Sequence, residues 1–192
     1  MSSEVLNMKT KEILTSSIKK LMKKKPLDKI TVSEIVNDCG VSRRTFYYHF
    51  EDVYDAIGYI CENDLKKLIK DDKKDESYSD KASRFLNYMI ENKSSIIGIQ
   101  NSSQSWRIGN MYFQITSNYI YEILKNDKLA TNINEHNLKV LADCYTTAIS
   151  AIMVEIVLDN IDASSDFLIS LIDDTLVETY RYTLKAISKK QK

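Results

Sequence analysis

This chain has little of what breaks regular structure: its 192 residues include four glycines and one proline. An all-β protein needs turn residues every strand or so, and collagen-like or low-complexity chains need many more, so the composition argues against all three. Long helices with few interruptions are the natural alternative. Histidine is also scarce, with two in the chain. That leaves no HExxH zinc signature and no evident catalytic triad, and no glycine-rich phosphate loop is present either. Neither an enzyme nor a bound cofactor is expected. Cys39, Cys61 and Cys144 are odd in number and far apart, with no CxxC or Cys/His cluster. They support neither a disulfide framework nor a zinc site, and reduced thiols in the cytoplasm are expected. Residues 1–25 show no apolar run of the signal-peptide kind. The most apolar stretch, AISAIMVEIVL at 148–158, is too short to span a bilayer and carries Glu155, so no membrane association is expected.

What is present is an ordinary globular composition, 43% apolar and 28% charged. The formal net charge of zero hides a polarity. Residues 1–50 hold ten Lys/Arg against five Asp/Glu, and the rest of the chain holds 17 against 22. A basic start and an acidic remainder suggest two modules with different partners, the first facing a polyanion.

The basic segment has strong local signals. Ile13, Leu14, Ile18, Leu21 and Met22 give an apolar face over 8–25, with lysines between them and Pro26 as the stop. TVSE at 31–34 fits a capping box. Val32, Ile35, Val36 and Cys39 follow at i, i+3, i+4 and i+7, one face of a two-turn helix. Gly40 stands where a left-handed residue would close that helix, and Ser42 offers a second N-cap. A third helix runs from Arg43 to about Phe50. Two short capped helices joined by a glycine turn form a helix-turn-helix pattern. On the third helix Phe46 and Phe50, four apart, point to the core with Val41. Arg43, Arg44, Thr45, Tyr47, Tyr48 and His49 spread over the other faces. Two arginines in a first turn oppose the helix dipole by a few tenths of a kcal/mol each, a placement that makes sense if an anion is expected there. Arginines and hydroxyls on such a helix suit the major groove, where Arg pairs with guanine edges.

Asp52 is a candidate N-cap for a fourth helix over 53–70. KDDKKDESYSD at 70–80 reads as a solvated linker. Further helices are expected over 81–92, 94–101, 103–126, 134–159 and 165–188. The last two are apolar over more than one face, as helices buried within a monomer or shared between two copies are.

The residues TVSEI followed by CGVSRRTFYYHF resemble the TetR/AcrR transcriptional regulators over about residues 10–60. The resemblance implies an all-α protein, in which an N-terminal helix-turn-helix domain over 1–52 is joined by a linking helix at 53–70 to a helical bundle over 71–192. It implies a homodimer, formed through the last two long helices, that binds a palindromic double-stranded DNA operator. It also implies a repressor released by a small-molecule effector held in the second domain. Carried over position by position, Thr31, Ser42, Arg43, Arg44, Thr45, Tyr47, Tyr48 and His49 are the expected DNA contacts. Thr31, Tyr48 and His49 would mainly touch phosphate, and Arg43, Arg44 and Tyr47 base edges. One position departs from the pattern: where the family commonly has a phosphate-contacting Lys, this chain has Val53, preceded by Glu51 and Asp52. Lys29 and the lysines at 23–25 are candidate substitutes. Through PLDKITV and RRTFYYHF the chain is also similar to the branch that includes dihydroxyacetone-kinase regulators, some of which act through a protein partner. The alternative is therefore a helical protein-interaction module with weak or no DNA binding. Trp106, Met111, Tyr112, Phe113, Tyr119, Tyr121 and Tyr145 are the candidate effector-pocket residues, since a pocket mixing apolar walls with a few hydroxyls suits a small ligand.

Overall fold

Caps and stops in the first fifty residues set the first three helices. The computed structural model describes residues 3–70, 78–161 and 178–190. Among them are nine α-helices and no strand. They are α1 (Ser3–Met22), α2 (Val32–Cys39), α3 (Arg43–His49), α4 (Val53–Lys70), α5 (Tyr78–Glu91), α6 (Lys93–Gln100), α7 (Ser105–Lys125), α8 (Glu135–Val157) and α9 (Glu178–Lys190). Short 3-10 turns at Leu27–Lys29 and Lys128–Ala130 precede α2 and α8.

The helices fall into two compact units, Met1–Asp64 with Asn92–Met111, and Leu65–Glu91 with Tyr112–Lys192. In the first unit α1 lies against α2, and Leu14, Ile18, Ile35 and Phe46 are fully buried. Side chains of this size each contribute roughly 1.5–3 kcal/mol on burial. The buried Ser17 hydroxyl donates to the Ile35 carbonyl at 3.3 Å, which ties α1 to α2. α6, the start of α7 and the loop between them also belong to this unit, so the helix-turn-helix does not stand alone. α4 and α7 approach closely at Gly58: a Cβ there would meet Met111 Sδ at 3.4 Å.

The second unit has its own core of Leu124, Ala130, Ile133, Leu138, Ala142, Tyr180 and Leu184. Ser117 on α7 donates to the Asp143 carboxylate on α8, and the Tyr180 hydroxyl donates to Asp127 Oδ2 at 3.3 Å. α8 is longer than its central apolar run. By length and composition alone it could cross a membrane, yet Leu138, Ala142, Met153 and Val157 are buried in this unit, and Glu135, Lys139, Asp143 and Glu155 interrupt it.

The expected helix boundaries agree with the structure within a few residues, except at two places. The linker expected over 70–80 gives way to helix at Tyr78, where Asp80 in the first turn of α5 complements the helix dipole; residues 71–77 lie outside the described residues. Of the helix expected over 165–188, residues 165–177 also lie outside them, and α9 is seen from Glu178.

Candidate nucleic-acid interface

The turn between α2 and α3 is built from local hydrogen bonds. Thr31 Oγ1 accepts from Glu34 N at 3.3 Å, and Glu34 Oε2 accepts from Thr31 N at 3.0 Å. The Thr31 hydroxyl also donates to Glu34 Oε2 at 2.8 Å, so the capping box is complete and that hydroxyl is occupied within it. Lys25 pairs with the other Glu34 oxygen, and this bond, with those from Thr31, holds the Glu34 carboxyl down at about 2. Gly40 closes α2 at φ 70°, the left-handed region that favours glycine. Its N–H, the C-cap amide, bonds back to the Val36 carbonyl. Ser42 then caps α3, accepting from Thr45 N at 3.0 Å, and shares a hydroxyl–hydroxyl bond of 2.8 Å with Thr45.

These caps fix the rotation of α3. Phe46 and Phe50 go inward at 0% and 3% exposure, their rings 5.8 Å apart. Arg43, Arg44, Tyr47 and Tyr48 go outward, with Tyr48 at 76% the most exposed aromatic among the described residues. Arg43 is braced: Nη1 donates to Ser33 Oγ at 2.7 Å, and Nη2 reaches the Tyr47 hydroxyl at 3.5 Å. Arg44 has no ion pair or hydrogen bond among the described residues. His49 is half-buried, and burial, with Lys11 adding to it, lowers its pKa below the ordinary histidine range. Seven of the eight residues expected at a DNA surface lie on or at the cap of α3, and Thr31 lies at the cap of α2. Arg43, Arg44, Tyr47 and Tyr48 are the exposed members on α3 itself; Thr31 and Ser42 are exposed too, but they and Thr45 spend their hydroxyls on caps.

The lysines suggested as substitutes at Val53 divide. Lys25 is paired with Glu34; Lys23, Lys24 and Lys29 are exposed. Lys11, unremarked in the sequence, has its ammonium 4.6 Å from the Tyr59 ring centre and 5.7 Å from that of Phe50. Cation–π stacking holds it beside His49. Arg107 escapes a sequence reading for the same reason as Lys11: its partner Asp52 is 55 residues away, at 2.8 Å. No local pattern signals such a contact.

The effector-pocket candidates separate. Trp106, 67% exposed, and Met111, which abuts Gly58, belong to the first unit. Tyr112, Phe113, Tyr119, Tyr121 and Tyr145 belong to the second and are half-buried. Tyr145 stands edge-on to Tyr180, ring centres 6.4 Å apart, and the Tyr121 hydroxyl donates to Glu135 at 3.1 Å. Among the described residues no group of three or more His, Cys, Asp or Glu is arranged to hold a metal.

Residues 14–52 match the family of bacterial regulatory proteins of the tetR type, and residues 76–178 match a transcriptional regulator C-terminal region. The chain is 32% identical over 97 residues to the HTH-type dhaKLM operon transcriptional activator DhaS of Lactococcus lactis subsp. lactis (strain IL1403), across 48% of this chain. The match spans about half of that relative, 52% of its length. Among solved structures, a dihydroxyacetone kinase operon activator DhaS shares the fold, with a TM-score of 0.69 at 21% identity, over 90% of this chain and 97% of that one.

Proposed function

We propose a function from one premise: this chain belongs to the TetR family of bacterial regulatory proteins. In our reading it is a DNA-binding transcriptional regulator that lays α3 in the major groove of a double-stranded operator. The observation that carries this is the outward face of α3, where Arg43, Arg44, Tyr47 and Tyr48 are held exposed by caps at both ends of the turn. Arginine there reads guanine edges, and the tyrosine hydroxyls reach bases or phosphates.

A palindromic operator requires two copies of α3 about 34 Å apart, hence a homodimer. Its support is α8, where Val140, Cys144, Thr147, Ala148 and Ala151 form an exposed row of small residues at helical spacing. Only 22% of the most apolar stretch of α8 is buried. Two such rows can pack closely across a two-fold axis, and such a protein works in the cytoplasm, where its DNA is. A small-molecule effector held by the second unit near Tyr112, Phe113, Tyr119 and Tyr145 is the finer part of the proposal. Repression relieved by that effector is the expected sign. The similar proteins described above are named as activators, and activation is the second reading. A protein-interaction module remains the competitor, favoured by Glu51, Asp52 and Val53 at the start of α4, where a phosphate clamp would want a cation.

Selection from random duplex DNA tests the proposal. Enrichment of a two-fold symmetric sequence by a dimer supports it. A folded protein that enriches nothing removes the DNA reading and turns the search to protein partners.

A further inference from the structure

The helix assigned to DNA is followed at once by acid. Glu51, Asp52 and Asp55 fall within five residues, and Val53 among them adds no charge. α3 has seven residues, about 10 Å of helix at 1.5 Å per residue. The major groove is about 12 Å wide, with a phosphate strand along each side. Groups at the C-terminal end of a helix lying there are within roughly one Debye length, about 8 Å at physiological salt, of several phosphates. Three carboxylates at that place oppose binding. Two of them are also fixed: Asp52 Oδ1 caps α4 by accepting from Asp55 N at 2.7 Å, and Asp55 Oδ2 accepts from Glu51 N at 3.0 Å.

Arg107 answers this cluster. From the first turn of α7 its Nη1 donates to Asp52 Oδ2 at 2.8 Å. Its pKa is raised by Asp52 first, and by Asp55 and Glu51 as well, so all three acids act on one guanidinium. The position of Arg107 depends in turn on the loop before it. Ser103 N donates to the Asp28 carboxylate at 3.1 and 3.3 Å, and the Tyr54 hydroxyl from α4 donates to the same carboxylate. The Tyr54 hydroxyl also lies 3.3 Å from Ser103 Oγ, so the loop before α7 is tied both to Asp28 and to α4. α7 itself continues to Lys125 and α4 to Lys70, beyond the residues of this unit.

We propose that Arg107 is an electrostatic shield for the DNA-reading surface: seated on Asp52, it offsets part of the negative charge beside α3, and withdrawing it with the first turn of α7 weakens DNA binding without any change in α3. The inference rests on the DNA-binding reading above. It places a regulatory element outside the contact surface, since a shift of α7 changes the charge that the phosphates meet. An effector that favours one seat of α7 changes affinity by its differential binding to the two states.

The test uses the full-length protein, a duplex selected by the wild type, and the variants Arg107→Gln, Asp52→Asn and the double variant. Asparagine keeps the cap on α4 through its own oxygen while removing the charge. Arg107→Gln is expected to bind roughly three- to tenfold more weakly at 50 mM salt, the deficit shrinking at 200 mM. Adding Asp52→Asn to it should restore binding to within about twofold of wild type. An ion pair with only a structural role predicts instead a loss that follows the melting temperatures of the variants and is the same at both salt concentrations. Asp52→Asn alone should bind at least as tightly as wild type, an arm independent of how well Arg107→Gln folds. Unchanged binding by Arg107→Gln, an unrescued loss, or weaker binding by Asp52→Asn overturns the inference and leaves the DNA reading standing. A wild type that selects no duplex overturns both.

Discussion

The two units are both helical among the described residues, and the bonds that specify them differ in span. In the first, the turn is specified by bonds between neighbours: Thr31 with Glu34, Ser42 with Thr45, Asp52 with Asp55, each three residues apart. In the second, Asn134 caps α8 in the same manner, but the defining contacts are distant: Ser117 with Asp143, Asp127 with Tyr180. Local bonds place particular side chains outward at fixed angles, which is what reading a surface as regular as DNA requires. Distant apolar packing places side chains inward, and many sequences satisfy it. The contrast teaches why the first unit carries a recognisable pattern and the second does not.

The largest effects should come from cutting each core separately. Phe46→Ala is expected to destabilise the first unit by about 3–5 kcal/mol, and Leu184→Ala the second by about 2–5 kcal/mol. Both residues are fully buried. Hydrogen exchange followed segment by segment should show protection lost mainly in the unit that carries the substitution. Equal loss in both units would show a single cooperative block and break the comparison.

Next comes a change that should touch binding alone. Arg44 is exposed on α3, so Arg44→Ala should weaken operator binding by about 1–3 kcal/mol and leave the melting temperature unchanged. Equal affinity in a titration against the selected duplex would remove Arg44 from the interface.

Smaller effects should have opposite signs in the two units. Thr31→Ala removes a cap whose bonds are all made and should cost about 1 kcal/mol. Thr146 on α8 is fully buried and its hydroxyl has no hydrogen-bond partner among the described residues. Thr146→Val should be neutral or stabilising by up to about 1 kcal/mol, because it removes an unsatisfied group without opening space. Thermal melts of the two variants check both signs together, and a destabilised Thr146→Val would mean that this hydroxyl is used.

The smallest effect is a pH dependence in the capping box. The Glu34 carboxyl is depressed to about 2 in the folded chain. Its contribution is therefore present above the ordinary glutamate range and lost as pH falls toward that value. Glu34→Gln should differ most from wild type near neutral pH and converge with it in acid. A gap in melting temperature that stays constant across the series would contradict the assignment.

The legibility of the sequence follows the same division. TVSE, Gly40 and Ser42 place α2 and α3 correctly because capping rules act within four residues. The 3.6-residue spacing of Phe46 and Phe50 correctly turns the arginines outward. Lys11 and Arg107 escape notice because their partners are far along the chain and meet only in the folded unit. The same holds for the inclusion of α6 and the start of α7 with the helix-turn-helix, which depends on Asp28, Tyr54 and Ser103 converging. The aromatic residues of α7 spread over both units, Trp106 and Met111 in one and Tyr112 onward in the other. A stripe at helical spacing records which face is apolar, and does not record which unit that face packs into.

The central claim is that the exposed face of α3 binds DNA through its charge. The most direct measurement is the affinity of the wild-type protein for its selected duplex between 50 and 200 mM salt. If about four phosphates are neutralised, affinity should fall by about a hundredfold over that range, as counterion release requires. Binding that holds constant across it would contradict a phosphate-anchored interface, and with it the function proposed for this chain.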